Sequence, residues 1–181
     1  VIVGDNAGYT LTSGASSVFI GQNAGNQITT ANWIVGVGSG CLDALTTGSA
    51  NVALGYNAGT ALTTAANNTI VGYSTGAAIT TGGTNTAFGA YALDACTTGV
   101  VNAAFGVNAL GAVTDGGYNT AFGNEAGAAI TSGGSNTAVG TYALDTCTTG
   151  ARNTMVGYQA GDAISTGSDN TAVGNWALIT A

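Results

Sequence analysis

The sequence of 181 residues has no proline, no histidine, one cation (Arg152) and only 5% charged residues. Without a basic patch the chain has nothing to hold phosphates, which excludes nucleic acid as a partner and disfavours an anionic membrane surface. No apolar run approaches the roughly 18 residues that a membrane helix needs, so we expect no membrane insertion. The absence of proline agrees with strands that donate backbone hydrogen bonds along an uninterrupted sheet.

The small number of charged residues also limits how much of the surface can be exposed to solvent. Globular domains usually carry about 25% charged residues and about 7% glycine, whereas here 31 of 181 residues are glycine and 45% are hydrophobic. A chain of this composition cannot cover an ordinary hydrated surface. We therefore expect that much of its surface is buried against something else.

A repeat of 17 residues runs through the chain without insertion. Its landmark is a glycine that follows a large apolar residue, at Gly4, Gly21, Gly38, Gly55, Gly72, Gly89, Gly106, Gly123, Gly140, Gly157 and Gly174. A constant interval places each copy identically relative to its neighbours, as in a solenoid. Units rich in Gly, Thr, Val, Ile and Asn favour strands over helices. We predict an all-β fold, a parallel β-solenoid or β-roll of about eleven coils, forming one domain over 1–181 that is a fragment of a longer protein.

Each coil is predicted to contain two short strands, such as those at 120–122 and 129–132, joined by glycine-containing turns. Three shorter faces per coil are the alternative. Neighbouring strand residues such as Ala121 and Phe122 point to opposite faces, and both are apolar in nearly every coil. Since only one face can fill the coil, the other needs a partner. We predict lateral self-association, most simply as a homotrimer.

Two polar columns are predicted to form hydrogen-bonded ladders along the rod, with no ligand role. The asparagine column is Asn51, Asn68, Asn85, Asn102, Asn119, Asn136, Asn153 and Asn170. The threonine column is Thr12, Thr29, Thr46, Thr63, Thr80, Thr97, Thr114, Thr131 and Thr148. Cys96 and Cys147 share an apolar column, three coils apart, and are expected to be core residues too distant for a disulfide.

The motif Asn-Thr-Ala-Phe/Val-Gly occurs at 85–89, 119–123, 136–140 and 170–174. It resembles the repeat of trimeric autotransporter adhesin heads, and the longer unit at 136–150 is similar to repeats of phage tail fibres. The resemblance implies a left-handed parallel β-roll, trimerisation through the apolar strand, and an extracellular place on a cell surface or virion. We therefore predict a structural and attachment fibre segment, of the tail-fibre or adhesin kind, that serves cell adhesion.

Two other functions remain open from the residues. A chain that starts and stops in mid-repeat has uncapped coils, which would allow self-assembly end to end into an extracellular filament. A regular threonine column could also bind ice. Against this alternative, the threonines occur in adjacent pairs, whose side chains are expected to face opposite sides of a strand.

Aromatic side chains on the turn after the landmark glycine are candidates for contact with surface carbohydrate. They are Tyr56, Tyr73, Tyr91, Tyr142, Tyr158 and Trp176. The simpler interpretation is that they cap the turn and shield the backbone between coils or between chains.

Catalytic chemistry finds little support. Asp43, Asp94 and Asp145 recur every three coils and are expected to lie too far apart to pair, while Asp162 and Asp169 fall on different turns of one coil. Without histidine, a nucleophile would lack its usual general base. We expect neither an enzyme nor a cofactor or metal site.

Overall fold

The computed structural model describes residues 1–179, so the last two residues of the predicted domain lie outside it. It contains one parallel sheet whose eleven strands follow chain order. The strands are β1 (Ile2–Val3), β2 (Val18–Ile20), β3 (Val35–Val37), β4 (Val52–Leu54), β5 (Thr69–Val71), β6 (Thr86–Phe88), β7 (Ala103–Phe105), β8 (Thr120–Phe122), β9 (Thr137–Val139), β10 (Thr154–Val156) and β11 (Thr171–Val173). Each strand pairs only with its neighbours, and paired residues such as Phe105 and Phe122 are 17 apart. This confirms an all-β parallel β-solenoid, with no helix in residues 1–179.

The prediction of a second strand per coil is wrong. Residues 129–132 form a turn and a bend, although the backbone N–H of Thr131 still donates to the carbonyl of Thr148 in the next coil (2.8 Å). Ile130 and Gly133 are buried, and the two residues between them lie at the surface. A strand alternates its side chains with period two, so two successive outward residues do not fit one. Each described coil therefore has a single strand, of three residues in β2 to β11 and of two residues in β1.

The landmark glycine is required by the close stacking of coils. At Gly123 the backbone has a φ of 147°, and an added Cβ would lie 2.5 Å from the carbonyl oxygen of Gly140. Any side chain there would collide with the backbone of the next coil. This explains why the repeat keeps glycine at that position wherever another described coil follows; at Gly174 only the positive φ of 127° requires it.

In nine of the eleven coils, the interior holds one large residue at either of two positions. These are the centre of the strand and the residue six positions later. Met155 in β10 is followed by Gly161, where a Cβ would lie 2.7 Å from the Met155 Cγ. One coil earlier the order is reversed, with Ala138 in β9 and Leu144 six residues later, both buried. In these two coils the large residue changes position, and the other position is small.

The same exchange extends along the rod. In four coils the strand centre is large and the residue six positions later is glycine; these centres are Ile2, Phe19, Ile70 and Met155. In five coils the strand centre is glycine or alanine and the residue six positions later is large; these later residues are Leu42, Leu93, Leu110, Leu144 and Leu178. Two coils have small residues at both positions. In one of them, a Cβ on Gly59 would meet Leu42 and Ile70 from the adjacent coils. Neighbouring coils thus fill the space that this coil leaves, which keeps the interior close-packed.

Candidate functional site

The feature most suited to a function is the outward surface of the sheet, which we call the outer strand face. It consists of the residue before each landmark glycine, from Val3 to Val173, together with the residue two positions before that one. The strand centres between them point into the coil and are buried. The outward residues are partly to fully exposed: those of β3, β4, β5, β7, β9 and β10 are half-buried by their neighbours in the sheet, while Phe122 is 58% and Val173 70% exposed. No charged residue lies on this face in any of the eleven strands.

Three phenylalanines form a continuous stack in the middle of the outer strand face. The ring centroids of Phe88 and Phe105 are 5.4 Å apart with an interplanar angle of 6°, and those of Phe105 and Phe122 are 5.2 Å apart at 25°. The strand register aligns these rings, because the three residues are paired neighbours in β6, β7 and β8. Aromatic rings bury large apolar areas and often dominate interfaces. This stack is the largest apolar feature of the face.

An all-parallel sheet with a bare apolar face is unusual. Parallel sheets normally have both faces covered, because each face presents apolar side chains. Here the coil covers the inner face only, and the single chain supplies no cover for the other. Contiguous exposed apolar surface of this kind usually marks a site of association.

The predicted asparagine column forms a ladder in the structure. Asn51 through Asn153 are buried, and the backbone N–H of each asparagine from Asn68 to Asn170 donates to the Oδ1 of the asparagine one coil earlier at 2.9–3.0 Å. From Asn51 to Asn153, each Nδ2 donates to the carbonyl of the residue 14 positions later at 2.8–3.2 Å. These side chains satisfy buried backbone groups, and burial keeps them out of reach of a ligand.

The threonine column is hydrogen-bonded as well. From Thr12 to Thr148, every hydroxyl donates to the backbone carbonyl 17 residues later, at 2.9–3.4 Å. In the central coils that carbonyl also accepts a backbone N–H, as Thr148 does from Thr131. The hydroxyl is therefore a second donor to an acceptor that already has one.

A second hydroxyl column lies beside it and was missed as a separate surface. Its members, all exposed, are Ser13, Thr30, Thr47, Thr64, Thr81, Thr98, Asp115, Ser132, Thr149 and Thr166. The expectation that adjacent threonines face opposite sides does not hold, because this segment is a bend and not a strand. The sequence feature that could have predicted this second column is the adjacent Thr-Thr pair in most coils.

The six aromatic candidates form two separate clusters. Tyr56 and Tyr73 stack at 5.4 Å and 16°, and Tyr91 meets Tyr73 edge to face. In the second cluster Tyr142, Tyr158 and Trp176 contact each other in sequence, at centroid distances of 6.1 and 6.3 Å. Five are exposed, while Tyr142 is half-buried.

In the first cluster, the stacked rings of Tyr56 and Tyr73 each have one face against the other ring. Tyr56 and Tyr73 cover one another, so those two faces are not free to take a sugar ring. A carbohydrate would instead meet ring edges and hydroxyl groups, or a ring at the end of a cluster.

One carboxylate pair was missed. Asp145 and Asp162 occupy the same position in adjacent coils, and the signal was their separation of 17 residues. Burial first, and then the neighbouring Asp162 carboxylate, raise the pKa of Asp145. Burial also raises the pKa of Asp94. Within residues 1–179 there is no group of three acidic, histidine or cysteine side chains able to hold a metal, and no pocket.

The three cysteines lie inside the coil as free thiols. Burial raises the pKa of the Cys41 and Cys96 thiols to about 11. It also raises the pKa of Cys147. The thiolate is the reactive form of cysteine, so a raised pKa leaves these thiols protonated and unreactive. They pack as small apolar side chains.

Comparison with known proteins adds no relative. No family model matches the sequence, and neither a curated protein nor a solved structure does. In the described part of the chain, no helix is long and apolar enough to cross a bilayer.

Proposed function

We propose that this chain is a rigid structural segment of an extracellular attachment fibre, of the phage tail-fibre or bacterial adhesin kind, in which copies associate laterally as a homotrimer. The observation that carries the proposal is the outer strand face, an uncharged stripe along all eleven strands in which the residue before each landmark glycine is always apolar. Left-handed coils and a virion or cell-surface location come from the repeat resemblance alone.

A second copy of the chain is the partner that this face suits. All eight acidic residues lie off the face, so two negatively charged copies can approach there with the least repulsion. The face also repeats with every coil, and another copy has the same rise per coil along its whole length. A partner without that repeat would match only part of the stripe.

The available area supports this partner. Ten steps of ~4.8 Å give a stripe ~48 Å long, and three strand residues give a width of ~10 Å. A homotrimer with all three stripes turned to a shared axis buries ~1,440 Å² in total, above the ~1,000 Å² expected of a specific interface. Copies that overlapped over less than about two thirds of their length would fall below that area.

Sedimentation equilibrium of the wild type tests the proposal, with three chains as the expected mass. Phe122→Lys places a charge on the outer strand face and should shift the mass to that of one chain. The matched control is Tyr118→Lys, an equally exposed aromatic four residues earlier that lies off the face. A monomeric wild type, or equal effects of both substitutions, would refute lateral association through this face.

The attachment role has a separate test, because the rod could associate without binding a host. A glycan array probed with wild type should show binding that Tyr56→Ala, at the end of a cluster, weakens and Tyr118→Ala does not. If no glycan binds, carbohydrate contact by the aromatic clusters is wrong while the structural role stands.

Ice binding is a second candidate, favoured by the exposed hydroxyl column. None of its hydroxyls makes a hydrogen bond to protein within residues 1–179, so all are free to order water. Asp115 interrupts the column, so Asp115→Thr should raise thermal hysteresis and Thr81→Lys should lower it. Absence of thermal hysteresis in concentrated wild type would eliminate this candidate.

A further inference from the structure

The asparagine ladder does not run the whole length of the rod. We number each coil by its strand and begin it at the ladder position, so that coil 3 comprises residues 34–50 and coil 4 residues 51–67. Asparagine occupies this position from coil 4 to coil 11, whereas coil 2 has Ser17 and coil 3 has Ile34. Ile34 is fully buried, and its side chain can neither donate nor accept a hydrogen bond. The ladder therefore stops at the junction between coils 3 and 4.

The missing acceptor leaves a buried backbone group without a partner at this junction. One coil further on, the N–H of Asn68 donates to the Oδ1 of Asn51 (3.0 Å), but the N–H of Asn51 faces Ile34. Asn51 is fully buried, and its N–H makes no hydrogen bond to any group in residues 1–179. A buried donor without an acceptor is rare and costs free energy. Unwinding of coil 3 returns this N–H to water, so the cost favours opening.

The column is also incomplete one coil earlier. The Oγ of Ser17 accepts from the N–H of Ile34 (3.2 Å), which links coil 2 to coil 3. Its hydroxyl donates to the nearby carbonyl of Ala15 (3.2 Å), whereas the ladder asparagines donate to the carbonyl 14 positions later. That carbonyl belongs here to Ala31, which is buried and has no donor within the described residues. Coils 1–3 thus contain a second buried group that gains a partner on unwinding.

The junction between coils 8 and 9 is a matched reference in the same chain. Three coils lie beyond it, as three lie beyond the junction of coils 3 and 4. Coil 4 and coil 8 are also the two coils with small residues at both inner positions. The strand bonds are equal, since the N–H of Gly55 donates to the carbonyl of Val37 and that of Gly140 to Phe122, both at 2.8 Å. The two junctions can therefore be compared directly.

The ladder distinguishes the two junctions. The Oδ1 of Asn119 accepts both the N–H (2.9 Å) and the Nδ2 (3.1 Å) of Asn136, which joins coil 9 to coil 8. At the other junction the Nδ2 of Asn51 donates instead to the carbonyl of Gly48, three residues before it in the chain (3.2 Å). No bond between ladder side chains joins coil 4 to coil 3. Coils 1–3 should therefore separate more easily than coils 9–11.

We propose that the junction between coils 3 and 4 is a breakpoint built into the rod, at which coils 1–3 unwind as one unit while coils 4–11 stay wound. Proteins open locally in contiguous units that cost less free energy than global unfolding. Unwinding turns β4 into an exposed edge strand, whose backbone groups become free to pair with another strand. The proposal is independent of lateral association, since every contact that carries it lies within one chain.

Hydrogen–deuterium exchange of the wild type, followed by mass spectrometry of its peptides, tests the breakpoint. We expect the backbone amides of coils 1–3 to exchange between about fivefold and about a hundredfold faster than the equivalent amides of coils 9–11. This is the factor that corresponds to one buried group without a partner. Simple fraying would affect both ends of the rod alike. Equal exchange in coils 1–3 and coils 9–11 would therefore overturn the proposal.

Substitutions at the ladder position assign the difference to the ladder. Ile34→Asn supplies the missing acceptor, and Ile34→Ala is the matched control that removes the same side chain without supplying one. Exchange in coils 1–3 should be slower in Ile34→Asn than in Ile34→Ala. Equal exchange in these two variants would show that the unpaired N–H of Asn51 does not set the breakpoint.

The reverse substitution moves the breakpoint to the other half of the rod. Asn119→Ile copies the arrangement of coil 3 into coil 8, and should speed exchange in coils 9–11 while leaving coils 1–3 unchanged. Unchanged exchange in coils 9–11 would contradict the role of the ladder. If Asn119→Ile fails to fold, the wild-type measurement and the pair of Ile34 variants still decide the proposal.

Discussion

The asparagine ladder makes a quantitative prediction about where the rod is most sensitive to substitution. Asn119 lies in the middle of the ladder and is fully buried. Its Oδ1 accepts from the backbone N–H of Asn136 (2.9 Å), and its Nδ2 donates to the carbonyl of Gly133 (2.9 Å). Asn119→Ala removes both interactions, together with two bonds between asparagine side chains: Asn119 Nδ2 donates to Asn102 Oδ1 (3.2 Å), and Asn136 Nδ2 donates to Asn119 Oδ1 (3.1 Å).

The expected loss of stability follows from the two backbone groups that Asn119→Ala leaves without a hydrogen-bond partner. The Asn136 N–H and the Gly133 carbonyl are buried, and the hydrogen bonds of the structure give neither of them another partner. A buried polar group without a partner costs about 1–3 kcal/mol, so the two together cost about 2–6 kcal/mol. For a chain of this size, about 1 kcal/mol lowers Tm by about 2–4 °C. We expect Asn119→Ala to lower Tm by about 4–24 °C.

Asn170→Ala is the matched control within the same ladder. Asn170 is the last member of the ladder, and its Nδ2 donates to the Oδ1 of Asn153 and to the carbonyl of Ser168 (both 3.0 Å). The Oδ1 of Asn153 keeps the backbone N–H of Asn170 as a donor, and Ser168 is exposed to water. No buried group is left without a partner, so the loss should be about 1 kcal/mol, or about 2–4 °C.

Thermal melts followed by circular dichroism, at equal protein concentration, measure both variants. Asn119→Asp adds a test of the chemistry, because a protonated carboxyl can donate to Gly133 whereas a carboxylate cannot. Its stability should therefore rise on acidification relative to Asn119→Ala. Equal Tm losses for Asn119→Ala and Asn170→Ala would show that the ladder does not stabilise the rod in the way we describe.

Three further predictions concern the interior and the acidic turn. Thr131→Val should cost less than about 1 kcal/mol, since the carbonyl that loses the hydroxyl keeps a backbone donor; a loss as large as that of Asn119→Ala in the same melts would contradict this. Gly161→Leu should destabilise strongly through collision with Met155, and adding Met155→Ala should restore most of the loss; additive effects in a double-mutant cycle would refute the exchange of volume between the two positions. Asp145→Asn should raise Tm at pH 7, because a carboxyl whose pKa is raised by folding destabilises the fold once ionised. The gain should disappear as the pH falls below the unfolded-state pKa of ~3.9, and a gain independent of pH would rule out ionisation as its cause.

Much of the fold could be predicted because the repeat keeps a constant interval. A residue such as Phe122 must then lie beside Phe105, and the order of the strands follows without further information. The second strand could not be excluded in this way, because Thr131 and Ser132 are good strand residues by propensity. Tertiary context overrides that propensity: the neighbours on both sides are buried, and the chain bends to place both residues outside.

Some features of the candidate site could likewise be predicted from the sequence, and others could not. That one strand face is inward and the other outward was predictable from Ala121 and Phe122. That Asp145 meets Asp162 was present in the interval but was obscured by the more regular spacing of Asp43, Asp94 and Asp145. Which aromatic rings cover one another was not predictable, because side-chain orientation depends on the space that neighbouring coils leave.

The sequence by itself determined the period, the parallel stacking and the apolar character of both strand faces, because each is a property of single columns at a constant interval. Only the tertiary structure decided that each coil has one strand, that large residues alternate between two inner positions, and that the outer strand face is left bare. Those features depend on volumes and hydrogen bonds summed across several columns and between adjacent coils. These features arise only when the chain has folded and adjacent coils are in contact.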